Sequence, residues 1–331
     1  MLSKSEWQNA VVTSSEIIAE DIRRIELAPK FAIPVKPGEH LKIMVPLKSG
    51  QEKRSYSIVD AHHDGSTLAL SVLKTRNSRG GSEFMHTLRP GDEISVSRPS
   101  QDFPLRVGAP EYVLVAGGIG ITAIRGMASL LKKLGANYRI IFAARSPEAM
   151  AYKDELIAEH GTNLHLHFDS DGSTIDVEQL IDSLNHNVEL YMCGPIRLMD
   201  AIRRAWNQRG LDPTNLRFET FGNSGWFSSE VFNIEVPELG IHTTVKKDES
   251  MLEALQRAGA NMMFDCRKGE CGLCQVRILN VDGHVDHRDV FLSDRQKESD
   301  TKACACVSRV VSSPVSSSPS SPTSTISVAL S

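Results

Sequence analysis

The sequence predicts a multidomain fold with an antiparallel β-barrel first, an α/β domain with a doubly wound parallel sheet second, and a small α+β domain third. Short apolar runs separated by Gly and Pro fill residues 11–105, a pattern typical of barrels and sandwiches. From residue 112 onward, buried strands alternate with helical stretches, which indicates a parallel sheet. A Gly/Ser-rich connection at 222–229 then precedes short strands around a cysteine-rich loop.

Length, composition and charge limit the possible functions. The 331 residues leave room for two or three domains, and 40% hydrophobic with 24% charged residues is ordinary for a globular chain. A formal net charge of −4 leaves no excess of basic residues for nucleic acid. The chain shows neither a signal-peptide pattern nor an apolar run of bilayer-spanning length, so we expect a cytoplasmic protein. Its expected partners are small molecules and proteins, with no nucleic acid and no membrane.

The first region, predicted as a domain over residues 1–107, has the strand pattern of a barrel. Its apolar runs lie at 22–27, 41–45, 55–58, 68–72 and 94–96. Turn signals at Pro37-Gly38 and Pro90-Gly91 separate some of them. Many short strands with such turns favour a β-barrel or a β-sandwich.

The second region, predicted as residues 108–224, begins with a strand at 112–116 and a helix at 124–134. Between them, Gly117, Gly118 and Gly120 form a turn where a dinucleotide pyrophosphate could approach the backbone at a helix N-terminus. A turn that only packs the helix on the sheet is the alternative.

A second strand end in this region supports the nucleotide hypothesis. Cys193, Gly194 and Pro195 follow a predicted strand at 190–192. Because the carboxyl ends of parallel strands meet at one edge of the sheet, these residues would face the same crevice as the glycine turn. Two such strand ends favour a nicotinamide nucleotide site.

The third region, predicted as residues 225–310, surrounds a cysteine loop. It has strands at 232–236, 242–245 and 275–279 and a helix at 250–259. The charged segment Asp286-His-Arg-Asp289 is predicted as a solvated turn, and part of a docking surface is the alternative. After it, residues 311–331 are dominated by Ser, Pro, Thr and Val, so we predict a disordered tail.

The cysteines carry the strongest chemical signal in the chain. Cys266, Cys271 and Cys274 have C-x4-C-x2-C spacing, and Cys304 and Cys306 follow about thirty residues later. This spacing is typical of a plant-type [2Fe–2S] cluster held by four thiolates. A structural zinc site is the alternative, although zinc sites usually pair two C-x2-C knuckles. By spacing alone, either Cys304 or Cys306 could be the fourth ligand.

Polar residues of the barrel region suggest a flavin. A cation, hydroxyls and an aromatic ring alternate on one strand, and a Gly-Gly turn preceded by a lysine could bind an anion. These residues are Arg54, Ser55, Tyr56 and Ser57 on the strand, and Lys74, Gly80, Gly81 and Ser82 at the turn. Strands and turns that bind no ligand show the same residue patterns, which is the alternative to a flavin site. The chemistry adds a reason, because nicotinamide donates two electrons together whereas a [2Fe–2S] cluster accepts one, and flavin can mediate.

Taken together, these motifs resemble the phthalate dioxygenase reductase family, which includes vanillate demethylase reductase-like and carnitine monooxygenase reductase subunits. The similarity runs from about residue 8 to Arg309. Its motifs are RSYS at 54–57, SRGGS at 78–82, DFPL at 102–105, VAGGIGIT at 115–122, YMCGP at 191–195, FETFG at 218–222, the cysteine loop, DHRD at 286–289 and CVSR at 306–309. The family's closing apolar strand after CVSR is not evident, so we expect it to be missing.

The resemblance implies an FMN-binding β-barrel, an NADH-binding α/β domain and a β-grasp ferredoxin-like domain. It implies that Arg54, Tyr56 and Ser57 bind FMN, with Lys74, Gly81 and Ser82 near the phosphate. It implies that Gly118, Thr122, Cys193 and Gly194 contact nicotinamide, with Thr122 and Cys193 as the candidate catalytic positions, and that Arg145 and Ser146 lie on the adenosine side. It selects Cys306 as the fourth cluster ligand.

The implied function is the reductase component of a Rieske-type mono- or dioxygenase system. Electrons would pass from NADH through FMN and the [2Fe–2S] cluster to the terminal oxygenase. Two alternatives stay open at this point. One is an NAD(P)H reductase for another acceptor, a ferredoxin or a quinone, and the other is a zinc-stapled binding module that senses NADH.

Overall fold

The computed structural model describes residues 7–47, 50–75, 78–222, 225–312 and 324–330. The chain divides into two compact units. The first comprises Met1–Gly194 with Ala201–Glu219, and the second comprises Pro195–Asp200 with Thr220–Ser331. Within the described residues, no helix is both long enough and apolar enough to cross a bilayer. The three domain boundaries predicted from the sequence stay predictions.

The first unit begins with a closed antiparallel barrel in the strand order β1-β2-β5-β4-β3-β6. Its strands are β1 Trp7–Ala19, β2 Ile22–Pro29, β3 His40–Leu47, β4 Gly50–Ala61, β5 Leu68–Leu73 and β6 Glu93–Ser97, with helix α1 at Gly81–Thr87. Alternate residues of these strands, such as Leu41, Ile43 and Val45, point inward and are fully buried. The predicted antiparallel barrel is confirmed.

An α/β sandwich follows in the same unit, with five parallel strands in the order β11-β10-β7-β8-β9. The strands are β7 Glu111–Gly117, β8 Tyr138–Ala144, β9 Leu164–Phe168, β10 Val188–Cys193 and β11 Leu216–Glu219. The helices are α2 Ile121–Lys133, α3 Lys153–His160, α4 Val177–Asp182 and α5 Ile196–Gln208, of which the first residues, up to Asp200, are counted with the second unit. The strand order reverses between β7 and β10, which is where doubly wound sheets bind ligands. The predicted parallel sheet is confirmed.

An ion-pair network joins the barrel to the α/β sandwich. Asp60 of β4 accepts from Arg24 of β2 at 2.9 Å and from Arg125 of α2 at 2.7 Å. The ring of Tyr152 lies under the Arg125 guanidinium, 4.4 Å from its carbon, and its hydroxyl lies 2.5 Å from Ser71 Oγ. Two cations therefore share one carboxylate and one aromatic ring.

The second unit is an α+β fold around a mixed five-stranded sheet in the order β13-β12-β18-β14-β16, with a separate pair β15-β17. Its strands are β12 Phe232–Val236, β13 Ile241–Val245, β14 Gln275–Asp282, β15 His284–Asp286, β16 Lys302–Cys304, β17 Arg309–Val311 and β18 Thr325–Leu330. Its own helices are α6 Met251–Arg257 and α7 Asp294–Glu298. Capping boxes at Ser250 and Ser293 begin both helices. The predicted α+β domain is confirmed.

The prediction of a disordered tail over residues 311–331 is wrong for Val311, which is buried at the end of β17, and for the last part of the tail. Strand β18 lies in the centre of the sheet, parallel to β12 and antiparallel to β14. Ile326, Val328 and Ala329 are buried in the core. The closing strand expected to be missing is therefore present. Residues 313–323 of the predicted tail lie outside the described residues.

The physical reason for this error is that the composition of the tail is dominated by its Ser/Pro-rich part. The segment Thr325–Leu330 follows that part, and its first four side chains alternate between polar and apolar, the period of a strand with one buried face. That segment needs the apolar sides of β12 and β14 to become ordered.

Candidate functional site

The glycine turn and the end of β10 are in backbone contact at the switch point of the parallel sheet. A side chain on Gly120 would overlap the carbonyl group of Cys193, and the Cβ of one on Gly194 would lie 3.0 Å from the Gly117 nitrogen. Gly118 has a φ of 52°, in the left-handed region. Glycine is therefore required here so that two strand ends can form one narrow, backbone-lined crevice.

Thr122 and Cys193 are buried beside this crevice. The Thr122 hydroxyl donates to the Ile119 carbonyl at 2.9 Å, which orders the first turn of α2. Cys193 ends β10, paired with Ala116 of β7, and Pro195 is exposed. The structure thus brings the predicted nicotinamide residues to one edge of the sheet.

Arg145 and Ser146 lie at the same edge, directly after β8. The Arg145 carbonyl accepts from the Ser170 N–H at 2.9 Å, which ties the segment after β8 to the segment after β9. The Arg145 side chain is exposed. It is available to a ligand that extends from the crevice across β8.

The barrel holds a second group of predicted residues with unsatisfied polar atoms. Arg54 binds Glu52 through Nη1 at 2.6 Å, while its buried Nη2 has no hydrogen-bond partner among the residues that the structure describes. Ser57 Oγ is likewise buried without a partner. Burial also raises the pKa of Tyr56 and keeps its phenol protonated. Because buried donors are normally paired, these atoms indicate a ligand with acceptor oxygens or nitrogens.

The Gly-Gly turn approaches this strand closely. A Cβ on Gly81 would lie 3.1 Å from Arg54 and 3.3 Å from the Tyr56 hydroxyl, which shows that both side chains face α1. Ser55 is exposed. The predicted flavin residues of the strand and of the turn are therefore neighbours.

Hydroxyl groups surround the start of α1. Ser82 Oγ lies 2.9 Å from Ser78 Oγ and 3.2 Å from Thr75 Oγ1, and Ser78 Oγ accepts from the Gly80 N–H at 3.1 Å. Lys74, predicted at this turn, is exposed. Our prediction missed Thr75, although a hydroxyl directly after the predicted lysine was a usable signal.

The cysteine loop turns backbone N–H groups toward a sulfur. Cys266 Sγ accepts from the N–H groups of Lys268, Glu270 and Cys271, each at 3.4 Å. Gly269 has a φ of 77° and lets the loop turn beside Val307. Hydrogen bonds of this kind stabilise thiolate charge and tune iron–sulfur centres.

The remaining predicted cysteines converge below this loop. Cys274, Cys304 and Cys306 are all buried. Hydrogen bonds from the thiols of Cys304 and Cys306 hold the pKa of Cys274 well below its usual value, which favours its thiolate. The charges of Cys274 and Cys266 raise the pKa of Cys306 while the Gly269 N–H lowers it, whereas the charges of Asp289, Cys274 and Cys306 raise the pKa of Cys304. The set can supply four sulfurs to a cluster.

Comparisons with known proteins agree with this geometry. The family model for the 2Fe-2S iron-sulfur cluster binding domain matches residues 234–311. Phthalate dioxygenase reductase of Burkholderia cepacia is 32% identical over 91% of this chain and 94% of its own. The chain belongs to the phthalate dioxygenase reductase family.

Two further relatives match this chain over nearly its whole length. Tetrachlorobenzoquinone reductase of Sphingobium chlorophenolicum is 34% identical over 90% of this chain and 93% of its own. A solved phthalate dioxygenase reductase, described as a modular structure for electron transfer from pyridine nucleotides to [2Fe–2S], superposes with a TM-score of 0.71. It is 29% identical, and the match covers 98% of both chains.

Membership in the phthalate dioxygenase reductase family confirms several predictions. It confirms the oxidoreductase class, the function as a reductase component of an oxygenase system, and the cofactor set of FMN, NADH and a [2Fe–2S] cluster. It also disfavours the zinc-stapled binding module, because the matching C-terminal family is an iron–sulfur one. Family membership does not by itself assign a role to any individual residue.

Proposed function

We propose that the chain passes electrons from NADH to a Rieske-type terminal oxygenase in the cytoplasm, where its thiols stay reduced. The observation that carries this proposal is the combination, in one chain, of a nucleotide crevice, a barrel with unsatisfied buried donors and a four-cysteine loop. When bound, NADH supplies a hydride, FMN divides its electron pair, and the cluster passes on one electron at a time.

In this proposal, the barrel residues bind FMN. Arg54 Nη2 and Ser57 Oγ, both buried and without a partner within the described part of the chain, supply donors to the flavin or its phosphate. Tyr56 packs beside them as a protonated phenol. Lys74, Gly80, Gly81 and Ser82 at the turn would hold the phosphate, and Ser55 is on the exposed side of the strand.

The crevice binds NADH. Gly117, Gly118, Gly120 and Gly194 let the backbone approach the ligand, because a side chain at Gly120 or Gly194 would meet the opposite strand end. Thr122, Cys193 and Pro195 position the nicotinamide. Arg145 and Ser146 contact the adenosine side beyond β8.

Cys266, Cys271, Cys274 and Cys306 hold the cluster. The support for Cys306 is its interaction with Cys266 and with the Gly269 N–H, because a cluster ligand must face the other ligands and the loop. Cys304 ends β16 opposite Gln275 and is influenced by Asp289. We therefore assign Cys304 as a buried neighbour of the cluster.

Two matched variants test this assignment. Cys306→Ser should lose most iron and acid-labile sulfide in anaerobically isolated protein, whereas Cys304→Ser should keep both. The g-values of the reduced cluster in Cys304→Ser should remain close to those of the unmodified protein. Loss of iron from Cys304→Ser with retention in Cys306→Ser would reverse the assignment.

Anaerobic reconstitution tests the whole function. NADH should bleach flavin and cluster absorbance together, and oxidised Rieske-type oxygenase should then restore both and become reduced itself. Arg54→Gln should bind FMN more weakly, by roughly tenfold or more if one charge-assisted contact is lost. Rapid reduction of the protein by NADH with no transfer to any Rieske-type oxygenase would contradict the proposed partner.

A second candidate acceptor is a quinone, because one relative with 34% identity is a tetrachlorobenzoquinone reductase. A chlorinated quinone would then support steady-state NADH oxidation with no oxygenase present. Because small quinones also accept electrons directly from flavins, the Cys306→Ser variant is the control. A quinone reductase activity that does not use the cluster persists in this variant, whereas transfer to an oxygenase does not.

A further inference from the structure

The segment Asp286-His-Arg-Asp289 is buried, so the prediction of a solvated turn is wrong. Asp286 and Asp289 are 1% and 0% exposed, and His287 and Arg288 are each 8% exposed. Four consecutive ionisable residues are rarely buried together, because each charge loses hydration that a partner must replace. The cost of burying these charges indicates that the segment has a specific role in the fold or at the cluster.

Two of these residues have a structural role. Arg288 pairs with Asp286, 2.7 Å from its Nε and 2.6 Å from Nη2. Asp286 also accepts from the Trp226 N–H at 3.0 Å, and Arg288 donates to the Phe227 carbonyl at 3.0 Å. This pair holds the segment that follows residue 224 against the end of β15 within the second unit.

The other two residues form a charged triad with Asp300. His287 Nε2 lies 2.9 Å from Asp300 Oδ1, and His287 Nδ1 lies 3.8 Å from Asp289 Oδ1. Burial alone would lower the pKa of His287, but the two carboxylates raise it above its usual value. Burial alone would raise the pKa of Asp289, but His287, Lys297 and the Leu292 N–H together lower it. The surroundings therefore favour the charged forms of both His287 and Asp289.

The triad is attached directly to the cysteine loop. The Val290 N–H donates to the Gly269 carbonyl at 3.0 Å, and a Cβ on Gly269 would lie 2.9 Å from Asp289 Cα. The N–H of the same Gly269 interacts with Cys306. The Lys297 ammonium donates to the Asp289 carbonyl at 2.7 Å and fixes this backbone from α7. One glycine therefore separates the Asp289 backbone from a proposed cluster ligand.

We propose that His287 and Asp289 are positioning residues that set the reduction potential of the [2Fe–2S] cluster. Reduction adds one negative charge to the cluster, so a buried anion nearby disfavours it and a buried cation favours it. The Val290 N–H, next to Asp289, in addition holds the Gly269 carbonyl and so helps to fix the loop whose Gly269 N–H faces Cys306, and such N–H groups raise the potential. This inference rests on the proposed function only in requiring that the cluster is bound.

Redox titration followed by EPR of the reduced cluster tests the inference, at about pH 6 so that His287 is protonated. His287→Gln removes the cation and should lower the midpoint potential. Asp289→Asn and Asp300→Asn each remove an anion and should raise it, the latter less because Asp300 lies at the more exposed end of the triad. We expect a roughly fivefold change in the reduction equilibrium for His287→Gln and Asp289→Asn, equal to about 40 mV at about 59 mV per tenfold.

Glu298→Gln is the matched control, because it removes one exposed charge from α7 without touching the triad. Its midpoint potential should equal that of the unmodified protein. Shifts of opposite sign for the His287 and Asp289 variants support the inference, since general loosening of the loop would move both in the same direction. If Asp289→Asn binds no cluster, the directions in which the midpoint potential shifts in His287→Gln and Asp300→Asn decide between the inference and a general loosening of the loop.

Equal potentials in all variants, or shifts of one sign, would overturn the inference while leaving the proposed function intact. Absence of any reduced-cluster EPR signal from the unmodified protein would instead contradict the proposed function itself. The two failures are therefore distinguishable in one experiment.

Discussion

Replacing Ile326 by alanine should destabilise the second unit strongly, although sequence composition places this residue in a disordered tail. Ile326 is fully buried in β18, where it is paired with Ile234 of β12 and Val281 of β14. Its side chain belongs to the core that also contains Phe232 and Val276. The substitution removes three carbon atoms from the centre of a sheet.

The expected magnitude follows from transfer and cavity terms. Three buried carbons at about 0.8 kcal/mol each give roughly 2.4 kcal/mol. A residual cavity between two strands that are fixed by their own neighbours adds about 1 kcal/mol or more. We therefore expect the free energy of unfolding to fall by about 3–4 kcal/mol, enough to lower the apparent midpoint on the order of 10 °C.

Bleaching of the cluster absorbance during heating at a fixed scan rate measures this effect, because cluster loss on unfolding is irreversible. Ser327→Ala is the control, since Ser327 lies on the other face of the same strand and should change stability by less than about 0.5 kcal/mol. An unchanged midpoint for Ile326→Ala would refute the placement of β18. A larger loss for Ser327→Ala would show a one-residue error in its register.

Three further substitutions probe other features. Tyr152→Phe removes the hydroxyl that contacts Ser71 and should cost about 1 kcal/mol in urea unfolding followed by flavin fluorescence; no change would show that the hydroxyl is unimportant. Burial lowers the pKa of His160, which contacts Tyr138, so stability should fall as pH drops below about 6.5, and His160→Gln should flatten that slope. Arg309→Met loses donors to three backbone carbonyls and should lower the free energy of unfolding by about 3 kcal/mol, which a lower cluster-bleaching midpoint would show; an unaltered midpoint would contradict the structural role of Arg309.

Local patterns were sufficient to predict the fold class. The predicted strand at 112–116 corresponds to Glu111–Gly117, and the predicted strand at 138–144 to Tyr138–Ala144. Buried parallel strands are nearly continuous apolar runs, so their bounds are visible in the sequence. The C-x4-C-x2-C spacing likewise predicted a cluster loop, because three ligands on one short segment need no information about the rest of the fold.

Features that depend on distant segments could not be predicted. The tail strand becomes ordered only between β12 and β14, which precede it by many residues. The burial of His287 and Asp289 depends on α7 and on the cysteine loop, and a run of charges alone favours solvent. The unsatisfied Arg54 Nη2 appears only once α1 covers β4.

The difference between local patterns and contacts with distant segments also explains which parts of the electron path a motif can reveal. Ligand identity is a local property, since sulfur atoms and glycine turns occur at fixed spacings. The reduction potential of the bound cluster is a property of the fold, since it depends on which charges and N–H groups the fold brings near the cluster. Gly269 connects the two here, because it lies within the cysteine motif yet is held by Val290 from a segment twenty-one residues further along the chain. Reductases that share the cysteine motif but differ at His287 or Asp289 should therefore bind the same cluster at different potentials.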